Sequence, residues 1–340
     1  MRLNKNLIFN YDKPILIAEI SGNHKGNKKR FLKLVESACK NGADIVKIQT
    51  YEPQDITLNI KNNQFKIKKG LWKNTNLWEL YKKASTPFNW HKEAFQIAKK
   101  NKKIIFSSPF SKRGVDLLEK LKVKIYKIAS FEITDLKLIN YIASKNKPII
   151  ISTGMANLNE IKNAVREIKK FHSKIIILHC VSNYPTKLED ANLKRIIFLK
   201  KVFKRLKIGL SDHTNDIYSS IAAQSYGVVV IEKHFNIDKK KTPDSDFSIL
   251  PNQLKKLSEV IKNLAKSNKK KFTKNHQMIN LRRSIFASKD IKRNDKLSFD
   301  NIDTYRPNIG IPAENYFRVI GKKVKKNIKK NDPIYFSNLI

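Results

Sequence analysis

Eight short runs of aliphatic and β-branched residues recur along the first 234 residues, and each is followed by a segment with helical periodicity. The runs are nearly continuous in valine and isoleucine, as expected for strands that are buried on both faces. They lie at residues 14–20, 44–49, 103–107, 124–129, 147–152, 174–180, 207–211 and 227–234. Eight strands that alternate with eight helices over roughly 250 residues predict an α/β fold, the TIM (β/α)8 barrel. A doubly wound open sheet is the alternative, but no Gly-x-Gly-x-x-Gly turn follows the first run.

Local signals predict where several helices begin and end. Asn41-Gly42 follows the first helical segment, and such a pair is a good helix terminator. Asn157, with Glu160 three residues later, has the pattern of a capping box at a helix start. The eighth helix is predicted to begin at Pro251, because proline is well tolerated in the first turn.

The chain changes character after the eighth helix. Residues 1–265 are predicted to form the barrel domain, and residues 266–280 form a polar, lysine-rich linker. Residues 281–340 contain short apolar runs between lysine and aspartate turns, so we expect a small, mostly β domain there. Within it, strands are predicted at residues 284–288 and at Tyr335-Phe336.

The chain is strongly basic, with 70 lysines and arginines against 29 acidic residues and a formal net charge of +41. Such an excess is one signature of nucleic-acid binding. The lysines are spread over nearly every helix and turn, however, and no zinc-finger spacing or RNA-binding aromatic motif accompanies them. We therefore favour a lysine-rich solvated surface, which would also attract anionic substrates, over a nucleic-acid partner.

The sequence also indicates a compartment. No run of about 18 apolar residues exists, so no transmembrane helix and no membrane partner are expected. Residues 1–20 lack the pattern of a secretory leader. Cys39 and Cys180 lie in a predicted helix and a predicted strand, so we expect two buried free thiols and a reducing, cytoplasmic location.

Polar side chains occur at nearly every predicted strand end, where the active site of a TIM barrel is built. They are Glu19 after the first strand, Lys47 and Gln49 on the second, Ser108 on the third, Lys127, Ser130 and Glu132 around the fourth, Ser152 on the fifth, Ser182 and Tyr184 after the sixth, Ser211 and His213 at the seventh and His234 on the eighth. A single serine is usually a turn residue, and a single lysine usually extends to solvent. Their convergence on one barrel mouth instead indicates a ligand site, because burying such groups without partners is costly.

The residue types suggest the chemistry of this site. His213 and His234, which lie 21 residues apart at neighbouring strand ends, suit a divalent metal of the Mn²⁺ type that retains water ligands. Lys47 and Lys127, with several hydroxyl groups, suit a phosphate or carboxylate ligand. Glu132 could act as a general acid or base. A Schiff base on Lys127 is the alternative role for that lysine.

Several motifs resemble the sialic acid synthase family. They are residues 18–24 (AEISGNH), 46–50 (VKIQT), 107–110 (SSPF), 126–132 (YKIASFE), 152–155 (STGM), 209–214 (GLSDHT) and 231–235 (IEKHF). The tail from Arg283 through Arg306-Pro307 is similar to the antifreeze-like SAF domain of that family. The resemblance covers essentially the whole chain, in order, and it implies the same TIM barrel and the same small β domain.

Within the family, the chain is most similar to the subgroup that makes pseudaminic acid. The segments that carry this similarity are 70–72 (GLW), 77–81 (LWELY), 86–90 (TPFNW), 129–135 (ASFEITD) and 243–248 (PDSDFS). The first three lie in an insertion after the second strand. Synthases of N-acetylneuraminate or legionaminate, with the same chemistry on another amino sugar, are the alternative. A basic protein that binds nucleic acid or an anionic surface is the alternative outside the enzymes.

The resemblance implies that phosphoenolpyruvate condenses with an open-chain amino sugar. By this resemblance, the residues that bind phosphoenolpyruvate are Lys47, Lys127, Ser108, Ser130, Ser152 and Ser211. Further substrate contacts are Gln49, Ser182 and Asp244. Glu132 would guide a water or its proton, Glu19 and Tyr184 would bind sugar hydroxyl groups, and the two histidines would hold the metal. Arg306 would reach into the barrel of a second copy, which implies a domain-swapped homodimer.

Overall fold

Eight parallel strands close into a barrel in the computed structural model, which describes residues 13–267 and 276–340 of the chain. The strands follow one another around the barrel in sequence order, and the first pairs with the eighth. They are β1 (Ile15–Glu19), β2 (Ile45–Thr50), β3 (Ile104–Pro109), β4 (Tyr126–Ile128), β5 (Ile149–Ser152), β6 (Ile175–Cys180), β7 (Lys207–Asp212) and β8 (Val230–His234). The predicted TIM barrel is confirmed, and the open doubly wound sheet is wrong.

The described part of the barrel unit contains nine α-helices, one more than the eight predicted. They are α1 (Lys28–Lys40), α2 (Leu77–Ala84), α3 (His91–Lys100), α4 (Lys112–Lys120), α5 (Leu136–Ala143), α6 (Leu158–Lys169), α7 (Lys194–Val202), α8 (Tyr218–Ala223) and α9 (Pro251–Ser267). The additional helix is α2, which precedes α3 in the long connection between β2 and β3. None of the helices in the described ranges is long and apolar enough to span a membrane.

Two of the predicted helix boundaries are confirmed, one at a helix start and one at a helix end. Asn157 and Glu160 exchange hydrogen bonds between side chain and backbone at 2.8 and 3.0 Å, which caps the start of α6. Gly42 follows the end of α1 with a φ of +101°, and a Cβ there would lie 2.7 Å from Ser258 Cβ. Only glycine meets both demands, so this turn depends on it.

The core of the first unit lies inside the barrel and between the strands and the surrounding helices. Ile149, Ile150 and Ile151 on β5 are fully buried, as are Ile177 and Leu178 on β6. Each such side chain contributes roughly 1.5–3 kcal/mol by leaving water. Burial on both strand faces explains why these runs are continuous rather than alternating in hydrophobicity.

The second unit has a small sheet and its own core. In it β9 (Ser284–Ala287) pairs antiparallel with β10 (Ile302–Tyr305), and a short helix, α10 (Tyr316–Val319), follows. The core includes Ile285, Leu297, Val319, Val324 and Ile334. The expected strand at Tyr335-Phe336 is wrong, because Phe336–Asn338 forms a 3₁₀ helix that is capped by Asn338 and Tyr335.

The two units divide between Asn268 and Lys269. The predicted linker 266–280 differs from the structure at both ends. Helix α9 continues to Ser267, and a 3₁₀ helix occupies His276–Leu281. The added residues of α9, Lys266 and Ser267, are polar, and the six residues of the 3₁₀ helix are too few for an apolar periodicity to indicate helical structure. Residues 268–275 of the predicted linker lie outside the described residues.

Candidate active site

All but one of the predicted site residues lie at the carboxyl ends of the barrel strands or in the loops that follow. They are Glu19 on β1, Lys47 and Gln49 on β2, Ser108 on β3, Lys127 on β4, Ser152 on β5, Ser211 on β7, His234 on β8, and Ser130, Glu132, Ser182, Tyr184, His213 and Asp244 in the loops. Because all eight strands run in the same direction, their carboxyl ends meet at one mouth of the barrel. The exception is Arg306, which belongs to the second unit.

Two lysines and two glutamates form a buried charged cluster inside this mouth. Lys47 Nζ lies 3.0 Å from Glu19 Oε2 and 3.0 Å from Glu232 Oε1. Lys127 Nζ lies 3.8 Å from the same Glu232 oxygen, and Gln49 donates a hydrogen bond to Glu19. The four charged side chains belong to residues at most 3% exposed. Opposite charges at these distances compensate one another, which is the condition for keeping ionised groups in a protein interior.

The environment sets a different proton affinity for each member of this cluster. Burial raises the pKa of Glu19 to about 7 and lowers the pKa of Lys127 to about 8. Burial would also raise the pKa of Glu232, but Lys127 and Lys47 lower it to about 2. Burial opposes the charge of Lys47, yet Glu19 and Glu232 raise its pKa above the ordinary value. At neutral pH Glu232 and Lys47 are therefore ionised, whereas Glu19 and Lys127 titrate close to neutrality.

Two serine hydroxyl groups, from the loops after β4 and β6, lie against Gly154, just beyond β5. Its backbone N–H donates a hydrogen bond to Ser130 Oγ at 3.0 Å, and Cys180 Sγ lies 3.2 Å from the same oxygen. A Cβ on residue 154 would lie 1.9 Å from Ser182 Oγ, so only glycine permits this approach. Two serine hydroxyls near Lys127 make a suitable pocket for a phosphate or carboxylate.

A set of buried polar atoms at this mouth has no hydrogen-bond partner among the described residues. They are Glu19 Oε2, Ser108 Oγ, Glu132 Oε2, Ser152 Oγ, Glu232 Oε2 and His234 Nδ1. Of these, Glu19 Oε2 is within ion-pair distance of Lys47 but is not aligned for a hydrogen bond. Roughly 90% or more of buried polar groups in proteins are hydrogen-bonded, so several exceptions in one place indicate where a polar ligand binds.

Glu132 stands at the end of a 3₁₀ helix, Ser130–Glu132, that follows β4. Burial raises its pKa to about 7, and Lys127 only partly opposes this effect. A carboxyl group that changes charge near neutral pH can both accept and return a proton. Because Glu132 lies in the same 3₁₀ helix as Ser130, it would exchange a proton close to the serine hydroxyl groups that lie against Gly154.

His213 and His234 lie side by side, with ring centroids 5.3 Å apart. His213 Nδ1 lies 2.8 Å from the carbonyl oxygen of Val181, so this nitrogen donates and Nε2 keeps its lone pair. Burial lowers the pKa of His213 to about 4 and the pKa of His234 well below its ordinary value. Both imidazoles are therefore neutral at pH 7, which is the form that binds metal.

The residues around this pair fit a divalent metal with few protein ligands. His234 Nδ1 is buried and has no hydrogen-bond partner in the described part of the chain, and Asp244 Oδ2 lies 3.9 Å from it. Within residues 13–267 and 276–340, no group of three or more histidine, cysteine, aspartate or glutamate side chains could hold a metal. Two nitrogen donors with oxygen donors from water or substrate suit Mn²⁺ better than a structural zinc site, which has four protein ligands.

The loop after β8 is fastened to the loop after β1. Asn23 donates a hydrogen bond to the carbonyl of Phe235 at 2.9 Å and accepts one from Thr242 at 2.5 Å. The backbone N–H of Gly22 donates to Asp244 Oδ2 at 3.0 Å. The bond to Gly22 fixes the Asp244 carboxylate, which lies 3.9 Å from His234 Nδ1.

An aromatic cluster, which consists of Trp72, Tyr184 and Phe247, surrounds the histidine pair. Tyr184 packs on His213 with ring centroids 4.4 Å apart, and Phe247 packs on His234 at 4.7 Å. Tyr184 also contacts Phe247 at 4.9 Å and Trp72 at 5.6 Å. The mouth therefore has an aromatic side next to its charged and hydroxyl-rich interior.

Comparison with known families identifies both units. Residues 34–273 match the NeuB family, and residues 282–340 match the SAF domain. The chain belongs to the NeuB family. The resemblance to sialic acid synthases that carry a C-terminal SAF domain is thereby confirmed.

Relatives of the NeuB family cover nearly the whole chain. A pseudaminic acid synthase of Helicobacter pylori is 42% identical over 331 residues, which is 94% of this chain and 96% of that protein. An N,N'-diacetyllegionaminic acid synthase of Campylobacter jejuni is 40% identical over 332 residues, with 95% and 99% covered. The solved N-acetylneuraminic acid (sialic acid) synthetase of Leptospira borgpetersenii, in complex with citrate, is 29% identical with a TM-score of 0.70, over 78% of this chain and 90% of that one. These relatives are named for three different sugars, so overall identity alone does not identify the sugar.

Sequence reasoning missed three residues of this NeuB-family mouth: Glu232, Trp72 and Phe247. Glu232 could have been found, because it lies two residues before His234 and side chains two apart on a strand point to the same side. Trp72 and Phe247 lie in loops, where no periodicity predicts the direction of a side chain. Their approach to the histidines became visible only in the folded chain.

Arg306 is the predicted residue that lies apart from the others. It follows β10 in the second unit and is exposed. Its predicted role, which is to reach into the barrel of a second copy of the chain, stays a prediction.

Proposed function

We propose that this chain is a pseudaminic acid synthase. It would condense phosphoenolpyruvate and water with 2,4-diacetamido-2,4,6-trideoxy-altropyranose, in its open-chain aldehyde form, to give pseudaminic acid and phosphate. The supporting observation is the set of unpaired buried polar atoms that lies beside two lysines and a neutral histidine pair. Relatives named pseudaminic acid synthase, 42% and 39% identical to this chain, support the choice of sugar.

The anionic groups of phosphoenolpyruvate would bind on the lysine and serine side of the mouth. The residues in contact with its phosphate and carboxylate would be Lys47, Lys127, Ser108, Ser130, Ser152, Ser182 and Ser211. In support, the hydroxyls of Ser108 and Ser152 have no hydrogen-bond partner among the described residues. Charge-assisted hydrogen bonds to such groups are roughly twice as strong as neutral ones, which suits a ligand with several negative charges.

The aldehyde would bind on the histidine side. His213 and His234 would hold a divalent metal, which we propose to be Mn²⁺, with oxygen ligands in its other positions. Such an ion, when bound, polarises a carbonyl group and favours attack on its carbon. The hydroxyl and amide groups of the sugar would be bound by Glu19, Gln49, Tyr184 and Asp244.

The proposed reaction forms one C–C bond and breaks one C–O bond. C3 of phosphoenolpyruvate attacks the aldehyde carbon, and the aldehyde oxygen takes up a proton. Water then adds to the positively charged C2 and gives up a proton, so the proton balance closes. Phosphate leaves with the oxygen that had bridged it to C2 and takes up the proton of the new C2 hydroxyl, which becomes the keto group. Glu132 would accept the proton of the attacking water, because its pKa of about 7 lets it change charge at neutral pH.

A covalent role for Lys127 is the alternative chemistry. Its pKa of about 8 leaves a fraction of the amine uncharged at neutral pH, which a Schiff base requires. We favour anion binding because its ammonium group lies 3.8 Å from the carboxylate of Glu232. Borohydride reduction in the presence of the sugar should leave Lys127 unmodified by mass spectrometry. A reduced adduct on Lys127 would assign it the covalent role.

The sugar is tested by an activity panel. The purified protein is given phosphoenolpyruvate, Mn²⁺ and one amino sugar at a time, and released phosphate is measured. The altro-configured 2,4-diacetamido-2,4,6-trideoxy sugar should give the highest kcat/KM. A higher value with the legionaminate precursor would support the second candidate, which the 40% identical legionaminic acid synthase favours. A higher value with N-acetylmannosamine would favour an N-acetylneuraminate synthase.

We also propose that the protein acts as a domain-swapped homodimer in which Arg306 enters the mouth of the partner barrel. An exposed arginine is a suitable ligand for carboxylate or phosphate. Phe131 and Met155, which are 63% and 52% exposed, lie on the loops that carry Ser130 and Gly154. Large exposed apolar side chains at a functional mouth suit coverage by another chain.

The remaining proposals concern the surroundings of the protein. We propose a cytoplasmic location, which Cys39 and Cys180 support as buried free thiols. We assign the +41 net charge to a solvated surface without a nucleic-acid or membrane partner. Strongly salt-dependent binding to DNA or anionic vesicles that survives His213→Ala would support the non-enzymatic alternative instead.

A further inference from the structure

Trp72 connects two loops at the catalytic end of the barrel. It lies in the long segment between β2 and α2, and its indole Nε1 donates a hydrogen bond to the carbonyl oxygen of Pro243 at 3.1 Å. Pro243 belongs to the loop after β8, next to Asp244. The indole is therefore held at a fixed place beside the mouth.

Packing continues from this indole to the histidine pair. Trp72 contacts Tyr184 at 5.6 Å and Phe247 at 6.4 Å, measured between ring centroids. Tyr184 packs on His213 at 4.4 Å, and Phe247 packs on His234 at 4.7 Å. Trp72 is thus the outer ring of this cluster, and Tyr184 and Phe247 connect it to the proposed metal ligands.

The exposure of these rings separates a structural role from a contact role. Phe247 is 1% exposed, so it supports the neighbouring rings from within. Trp72 is only partly buried, although its N–H is hydrogen-bonded. Tryptophan is often only partly buried, because its ring is large. The accessible part of Trp72 leaves apolar surface free for a ligand contact, and packing on Tyr184 and Phe247 places the ring beside the mouth.

We infer that Trp72 is a specificity-determining residue that contacts the distal, apolar part of the amino sugar. This inference rests on the proposed function. An open six-carbon chain extends roughly 6 Å from the aldehyde carbon to the terminal carbon, because each of its C–C bonds of about 1.5 Å advances the zigzag chain by about 1.25 Å. With its aldehyde at the histidine pair, the chain reaches the outer rings of the aromatic cluster. The deoxygenated C6 methyl and the C4 acetamido methyl are the apolar groups at that end.

An indole surface recognises a methyl group and disfavours a hydroxyl at the same place. A hydroxyl there would lose hydrogen bonds to water without gaining a partner on the ring. Differences of one small group in an apolar pocket change kcat/KM by roughly 10–200-fold. The protein should therefore prefer the 6-deoxy sugar to the otherwise identical sugar with a 6-hydroxyl group.

The test compares these two sugars in three variants. For Trp72→Ala, the ratio of kcat/KM between the 6-deoxy and the 6-hydroxy sugar should fall about tenfold or more, with the KM for phosphoenolpyruvate unchanged. Trp72→Phe, which keeps a ring but removes the N–H donor, should retain most of the ratio. Trp78→Phe on α2 is the matched control, because Trp78 is also partly buried and is not a member of the cluster. An unchanged ratio in Trp72→Ala would overturn the inference.

A binding measurement gives a readout that does not depend on turnover. The alditol of the 6-deoxy sugar, which has no aldehyde, is titrated into the full-length protein without phosphoenolpyruvate while tryptophan fluorescence is recorded. The fluorescence change should be present in wild type and Trp78→Phe and absent in Trp72→Phe. A change that persists in Trp72→Phe would show that Trp72 does not contact the ligand. If wild type turns over neither sugar, the proposed function fails, whereas turnover with an unchanged ratio in Trp72→Ala overturns this inference alone.

Discussion

Glu232 Oε1 accepts a hydrogen bond from Lys47 Nζ at 3.0 Å inside the barrel mouth. The same oxygen accepts one from Ser211 at 3.1 Å and lies 3.8 Å from Lys127 Nζ. One carboxylate therefore attracts both cations that we assign to phosphoenolpyruvate binding. An incoming anion must compete with Glu232 for them, so the carboxylate both stabilises the free protein and limits its affinity for anions.

Glu232→Gln should weaken the fold and strengthen anion binding. Loss of the charge leaves Lys47 and Lys127 less compensated in a buried site, which should lower the free energy of unfolding by about 3 kcal/mol. Thermal unfolding with and without phosphoenolpyruvate measures both effects. We expect the variant to have a lower Tm without ligand and a larger rise in Tm when phosphoenolpyruvate is added. Glu36→Gln, at an exposed pair with Lys40 on α1, should change neither quantity. An unaltered Tm together with an unaltered ligand shift would contradict the role of Glu232.

The acid limb of the pH dependence of kcat/KM should report the ionisation of Glu132. Glu132 accepts a proton in the proposed reaction, so its ionised form is the active one. Because burial raises its pKa to about 7, kcat/KM should fall as the pH drops below about 7. Glu132→Gln should abolish this limb and reduce kcat by about 10²–10⁴-fold.

Two other groups provide controls for that profile. Glu19 also has a pKa of about 7, but it is assigned to sugar binding, so Glu19→Gln should raise the KM for the sugar and keep the acid limb. Above about pH 8 Lys127 loses its charge, and the KM for phosphoenolpyruvate should rise. Persistence of the acid limb in Glu132→Gln would assign it to another group.

Metal binding should depend on both histidines of the pair. Electron paramagnetic resonance of Mn²⁺ measures the free ion directly, so binding is read without turnover. His213→Ala and His234→Ala should each weaken Mn²⁺ binding by at least about tenfold. His172→Ala, at a half-buried histidine beyond α6, should bind Mn²⁺ as wild type does. Equal affinity in all three variants would place the metal elsewhere.

The barrel could be predicted from the sequence because each strand is a local pattern. The runs at residues 149–152 and 175–180 are nearly all isoleucine or leucine, and such runs have few other stable environments. The position of Glu19 at a strand end was likewise predictable, since strand order and direction follow from the fold.

Contacts between distant parts of the chain could not be predicted in the same way. Glu19 lies opposite Lys47 on one side and His234 on the other, and this register is set only when the barrel closes. The indole of Trp72 meets Pro243 across 171 residues of sequence. The four-residue strand β10 has two adjacent polar residues, Asp303 and Thr304, at its centre, so hydrophobicity gave little sign of it.

The domain-swapped arrangement should be visible by complementation between two inactive variants. Arg306→Ala and His213→Ala are each expected to be inactive as pure proteins. If Arg306 acts in the partner barrel, a mixed dimer contains one complete site, formed by His213 of one chain and Arg306 of the other. Phosphate release should then recover to about a quarter of the wild-type rate, because half of the random dimers are mixed and each has one active site.

Two controls make the complementation decisive. Mixing His213→Ala with His234→Ala, which damage the same unit, should give no recovery. No recovery in the Arg306→Ala and His213→Ala mixture, despite exchange of subunits confirmed by mass spectrometry, would mean that Arg306 acts within its own chain or not at all.

In the proposed reaction, this mouth joins phosphoenolpyruvate to an open-chain amino sugar with cleavage of the C–O bond. The decisive experiment supplies phosphoenolpyruvate labelled with ¹⁸O in the bridging position, together with the altro-configured trideoxy sugar and Mn²⁺. We expect a nine-carbon 2-keto acid and phosphate that carries the label. Unlabelled phosphate, or phosphate released without a nine-carbon product, would contradict it.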